Sequence, residues 1–216
     1  MTRFALFQFL IAMAFASCNG APPPEVTAVD TETAAATTVE TATAEEEKPM
    51  SHYTDKIADI KTGKGTISIR FFPDKAPNHV RNFIDLAESG YYDGVRFHRV
   101  IPGFMIQGGD PNTKTDNRGS WGTGGSGNYL DAEFNDIPHR RGIVSMARAG
   151  NPNSASSQFF IVVKDSNFLD RQYTVFGEVV SGMEVADAIV EAGQGKENPD
   201  DPVKIESIAI RAADQQ

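Results

Sequence analysis

Phe97-His98-Arg99-Val100-Ile101-Pro102-Gly103-Phe104-Met105-Ile106-Gln107-Gly108-Gly109-Asp110 sets one arginine and one glutamine among apolar residues that alternate as in half-buried strands. A long cation in an apolar surface needs a partner or a task. Further along, Ser157-Gln158-Phe159-Phe160-Ile161-Val162-Val163 is a second apolar strand with an embedded glutamine. Together the two stretches predict an apolar cleft with an arginine at its edge, a site for a neutral, partly apolar ligand.

Working outward, short apolar runs broken by Gly, Asn, Asp and Pro alternate in the same way from residue 57 onward. They predict strands over 57–61, 65–72, 95–100, 104–108, 142–147, 158–163, 174–180 and 203–210. The expectation is a mainly β domain, a closed eight-stranded antiparallel β-barrel capped by two α-helices. One helix is signalled by Val80, Phe83, Ile84 and Ala87 at helical spacing, with Pro77 in the first turn and Gly90 at the stop. The other is signalled by Ser181 and Glu184 spaced as a capping box, Val185, Ala188 and Ile189 on one face, and Gly193 at the end. Between them, 110–131 is crowded with Gly, Asn, Thr and Ser and has no periodicity. A loop of that length inside a compact domain is usually functional.

The N-terminal quarter has a different composition. Residues 1–17 have the anatomy of a secretory signal peptide: Arg3, then an apolar run too short to span a bilayer, then small residues. Cys18, the one cysteine of the chain, follows Ala16 and Ser17, so the segment resembles a bacterial lipobox in which Cys18 is lipidated and becomes the mature N-terminus. Phe15 departs from the leucine commoner at its position, and an ordinary signal peptide with an incidental cysteine is the alternative. Residues 18–50 are an Ala, Thr, Glu and Pro linker too poor in large apolar side chains to offset its ordering entropy. As a coil it spans roughly 30 Å. The folded domain is expected over 51–213, exported and held by its lipid to a bacterial cell membrane or outer membrane, facing the periplasm or the outside.

The linker acids account for most of the net charge of −9, and no basic stripe argues for nucleic acid. His52, His79, His98 and His139 lack metal-ligand spacing and have no second cysteine to join them, so no metal is expected. Ser126 lies among glycines without the spacing of a nucleophile elbow, and Gly195-Lys196-Glu197 lacks the remainder of a phosphate loop. What remains is the arginine, the glutamines and their apolar surroundings. By spacing alone Phe104, Met105 and Phe160 suit core or pocket equally, while Phe83, Phe97 and Phe159 are assigned to the core.

Over about residues 53–210 the chain resembles the cyclophilin-type peptidyl-prolyl cis-trans isomerases. The resemblance runs through Asn82-Phe83, Gly94-Val95-Arg96-Phe97-His98-Arg99-Val100, 103–110, Ser145-Met146-Ala147, Ser157-Gln158-Phe159-Phe160-Ile161 and Val175-Phe176-Gly177, in order and at family-like spacing. It implies an isomerase without a cofactor, acting as a monomer on proline-containing unfolded or extended polypeptides. It places Arg99 as the donor to the prolyl nitrogen and Gln107 as the polar partner orienting Arg99 or the substrate carbonyl. It places Phe104, Met105, Phe160 and Leu169 around the proline ring. Ala147, Arg148 and Ala149 would hold the preceding residue through their backbone, with Gln158, Phe168 and Tyr173 completing the substrate surface. His98 is read as a structural neighbour of that surface.

The chain departs from the family at three of these positions. Phe168 stands where many members carry a tryptophan important for cyclosporin binding, Tyr173 where many eukaryotic members have histidine, and Arg148 where they have asparagine. The segment 150–156 is longer than the eukaryotic version and has a bacterial look. Two other classes of function are open to such a groove. One is a non-catalytic chaperone or scaffold for proline peptides, disfavoured because a pure binder has no need of Arg99. The other is a lipocalin-like barrel around an apolar ligand, disfavoured because large side chains would fill it.

Overall fold

The computed structural model describes residues 48–213. The expected signal peptide, Cys18 and all but the last residues of the acidic linker lie outside the described residues. The strands are β1 (Lys56–Thr62), β2 (Gly65–Phe71), β3 (Arg99–Ile101), β4 (Met105–Gly108), β5 (Ile143–Met146), β6 (Phe159–Val162), β7 (Val175–Ser181) and β8 (Ile205–Ala212). The helices are α1 (Pro77–Glu88) and α2 (Met183–Ala192). Every strand pair is antiparallel, in the order β3-β4-β6-β5-β7-β2-β1-β8. Alternation is plain in β2, where Ile67, Ile69 and Phe71 are buried while Thr66 and Arg70 are exposed.

The sheet is a curled half-barrel, not the closed barrel expected. Its edges, β3 and β8, do not pair, because the strand expected over 95–100 changes partners midway. The N–H of Gly94 donates to the carbonyl of Ile205 at 2.8 Å, Ile205 donates back to Val95 at 2.8 Å, and Phe97 donates to Val203 at 2.9 Å. Arg96 bridges Lys204, but its N–H turns to the Thr113 hydroxyl at 2.9 Å. Beyond His98 the backbone leaves this seam and pairs with β4. One bridge closes the gap, where a ladder would be needed for a barrel.

Helix α1 buries Val80, Phe83, Ile84 and Ala87 as its spacing requires. The Phe83 ring meets Phe71, Tyr92, Phe159 and Phe176 at centroid distances of 5.1 to 5.6 Å, the centre of an aromatic core that also takes Phe97. Its N-cap, Ala76, has no capping side chain. The Glu133 carboxylate serves instead, accepting the backbone N–H groups of Asn78 and His79, each at 3.1 Å. Helix α2 does not begin with the expected capping box. Ser181 still belongs to β7, and the N-cap is Gly182 with φ of 88° and no side-chain cap. The strand turns straight into the helix there, and a Cβ on Gly182 would lie 2.2 Å from the Thr66 carbonyl oxygen.

The long stretch after β4 is an ordered loop. It contains two short 3-10 helices, Pro111–Lys114 and Arg118–Ser120, and Leu130 bridges Ala155. Buried Asp110 organises it, accepting the N–H of Asn112 at 2.8 Å and that of Gly122.

Candidate active site

Strand register alone brings the key side chains into one row. Arg99 pairs with Gln107, Gln107 with Phe160, and Phe160 with Ser145, so four adjacent strands present them on one face. The opposite face of the same ladder gives Ile106, Phe159 and Ile161 to the main core. The row's own face builds a second apolar cluster from Met105, Phe160, Val162, Leu169, Val175 and Ile143, with Phe104, Ala147 and Tyr173 packed beside it.

Above this cluster lies a cavity of about 310 Å³. Of the expected site residues, Arg99, Phe104, Met105, Gln107, Ala147, Arg148, Phe160, Leu169 and Tyr173 line it. Ala149 and Gln158 instead line a neighbouring cavity of about 570 Å³, which shares Gln107, Ala147 and Arg148 with the first. Phe168 lines neither. It is 67 % exposed and rests on the Phe104 ring at 5.3 Å.

The polar edge is tied more widely than the sequence suggested. The Gln107 side chain does not bond the Arg99 guanidinium; its amide N–H donates to Gln158 Oε1 at 2.9 Å. Gln158 in turn donates to the carbonyls of Gly122 at 3.1 Å and Gly124 at 2.8 Å, holding the long loop against β6. Arg99 donates through Nε to Glu197 Oε1 at 2.6 Å, and its two terminal nitrogens have no hydrogen-bond partner among the described residues. Across the cavity the Arg148 guanidinium lies over the Tyr173 ring at 4.8 Å and donates to the Gln172 carbonyl at 3.0 Å. Among the described residues nothing bonds the backbone N–H and C=O of Arg148, whereas Ala147 N–H is taken by Gln158 and Ala149 N–H by Ser154. One backbone position is thus open to an added strand.

Two histidines stand under the site. His98 lines the cavity, 5 % exposed, with neither ring nitrogen bonded among the described residues, and burial lowers its pKa and favours the neutral ring. His139 stacks on Phe160 at 6.2 Å and joins Ser145 and Asp170, each at 3.0 Å. The trio has the order of a nucleophile relay, but Ser145 is fully buried and no substrate reaches its hydroxyl. Burial also lowers the His139 pKa against the raising effect of Asp170, so the neutral ring donates to the carboxylate and accepts from the serine. The trio supports Phe160 from behind.

Sequence reasoning overlooked Trp121, Gly122, Glu197 and Asn198. All but Glu197 line the cavity, and Glu197 holds Arg99. The chain's one tryptophan, set between Ser120 and Gly122 in a polar loop, is a usable signal. Glu197 and Asn198 had none, since only the fold brings 193–200 beside β3. Among the described residues no group of three or more His, Cys, Asp or Glu could hold a metal. What lines the cavity can seat an apolar ring and donate hydrogen bonds at its edge.

Known proteins match this chain in sequence and in fold. The family model described as cyclophilin type peptidyl-prolyl cis-trans isomerase matches residues 57–210. A peptidyl-prolyl cis-trans isomerase of Synechococcus elongatus is 49 % identical over 121 residues, 56 % of this chain and 78 % of that protein. One from Schizosaccharomyces pombe is 43 % identical over 150 residues, 68 % of this chain and 94 % of that protein. The crystal structure of a cyclophilin-type isomerase from Cryptosporidium parvum is 34 % identical with a TM-score of 0.66, covering 73 % of this chain and 98 % of that one. The same protein was crystallised in the presence of the dipeptide Ala-Pro, with a TM-score of 0.65 and coverage of 72 % and 99 %. This chain belongs to the cyclophilin-type peptidyl-prolyl cis-trans isomerase family and is an enzyme of that class.

Proposed function

We propose that the cavity beside Arg99 is where X–Pro bonds turn, with Arg99 stabilising the twisted amide and Met105, Phe160 and Leu169 seating the proline ring. The observation that carries this reading is the pair of terminal nitrogens of Arg99, unpartnered among the described residues, at the rim of an apolar recess. Amide resonance raises a barrier of about 18–20 kcal/mol to rotation, and uncatalysed isomerisation takes tens to hundreds of seconds. No bond is broken. As the amide twists, the prolyl nitrogen recovers its lone pair and becomes an acceptor for a guanidinium N–H. That bond is stronger in the transition state than in either planar isomer, which is the condition for raising the rate.

Gln107, fixed by Gln158, lines the same recess, and the Arg148 backbone, unbonded among the described residues, would hold the substrate as an added strand. The Ala-Pro dipeptide used with the Cryptosporidium parvum cyclophilin supports a proline-containing ligand. Substrates would be proline-containing segments of exported proteins, met near a membrane if Cys18 carries a lipid.

A protease-coupled isomerisation assay on an X–Pro peptide tests the assignment. Arg99→Ala is expected to lower kcat/KM by about 10²-fold, the scale on which loss of one transition-state donor acts. Retention of the full rate would remove Arg99 from the mechanism.

A further inference from the structure

An arginine that acts by one directed hydrogen bond must be held, because a free guanidinium on a long stem samples many rotamers. Its register partner Gln107 is committed to Gln158 and does not hold it. The constraint comes from outside the strand row, through the 2.6 Å bond from Arg99 Nε to Glu197 Oε1. Glu197 is itself fixed beside β3. Its carbonyl accepts the N–H of Val100, the residue after Arg99, at 2.7 Å. The turn carrying it starts from Gln194, whose φ of 51° is left-handed, and is fastened further on by Arg118 donating to the carbonyls of Pro199, at 2.9 Å, and Asp200. Arg118 stacks on Trp121 at 4.6 Å, and Trp121 and Asn198 both reach the cavity. Two loops remote in sequence are therefore locked together at the rim, and Glu197 is what they deliver to Arg99.

The pair is open to water, with side-chain exposures of 40 % for Arg99 and 52 % for Glu197, so it contributes little to stability. Its geometry has another use. A guanidinium is a rigid planar fork of five donors, and fixing it at Nε sets its plane while leaving the terminal donors for a ligand. We propose that Glu197 is a positioning residue of the isomerase, holding Arg99 by Nε so that its terminal nitrogens face the bound prolyl amide. The proposal rests on the role assigned above to Arg99.

The test measures kcat/KM and melting temperature for Glu197→Ala and Glu197→Gln, each also in the Arg99→Ala background. Glu197→Ala is expected to lower kcat/KM about tenfold, mostly through kcat, as misplacement of a reacting group does. Glu197→Gln keeps an oxygen acceptor and is expected to recover most of that loss. In the Arg99→Ala background neither substitution should change the rate further, and melting temperatures should stay within about 2 °C of the parent, as for an exposed pair. The proposal is overturned if Glu197→Ala keeps or raises the rate, costs as much without Arg99 as with it, or lowers the melting temperature in step with activity. If Arg99→Ala retains full activity, the reading of Arg99 fails first. If Arg99→Ala is impaired while Glu197→Ala is not, only the role of Glu197 fails.

Discussion

His79, His98 and His139 are buried, and burial holds the pKa of each below the ordinary 6.5. The carboxylates beside two of them, Glu133 and Asp170, pull the other way and lose. In the unfolded chain these rings take up protons as pH falls through 6.5, while in the folded protein they stay neutral to lower pH. The unfolded state then binds more protons, so folding stability is full above 6.5 and declines as pH drops below it, until the lowered folded values are reached. Thermal melts across pH 5 to 8 should show a plateau at the alkaline end and a falling melting temperature on the acid side. A melting temperature unchanged down to pH 5 would mean that the rings take up protons in the folded state at the same pH as in the unfolded chain, so that burial does not lower their pKa. Of these three rings it is His139 that stacks on Phe160, which lines the cavity.

At the scale of elements, α1 depends on a carboxylate from outside itself. Glu133→Ala leaves the N–H groups of Asn78 and His79 without their acceptor and is expected to cost about 1–2 kcal/mol, the range for a lost N-cap. Urea denaturation measures it, and a loss below about 0.3 kcal/mol would show that water substitutes for the cap. The body of α1 was legible in the sequence because Val80, Phe83, Ile84 and Ala87 repeat at the helical period; its cap was not, since Glu133 lies more than fifty positions away. Strand positions were legible for the same reason of period. The break at His98 was not, because Val95 and Phe97 keep the apolar alternation while their backbone bonds leave for 203–205. Arg99, Gln107 and Phe160 could be named as a site from chemistry, yet the partners of Arg99 and Gln107 depend on loops whose placement no local pattern encodes.

At the scale of the whole molecule, Cys18, the expected site of the lipid anchor, lies outside the described residues, and its role can be tested apart from the isomerase activity. Cys18→Ser is expected to release the protein from membranes while leaving the isomerase rate of the solubilised enzyme unchanged; membrane retention after fractionation would count against lipidation. Within the folded part, the β4–β6 ladder divides the protein in two: Ile106, Phe159 and Ile161 face the main core, while Met105, Gln107 and Phe160 face the cavity. Neighbouring positions along one strand therefore answer to different demands, one to solidity and the next to turnover. Gaining or losing a single residue in 105–108 or 159–162 would exchange the two sets, sending Gln107 inward and Ile106 to the ligand. Evolution along this ladder can proceed by replacing side chains but not by changing its length, and positions that tune the reaction are interleaved with positions that cannot change without loosening the fold.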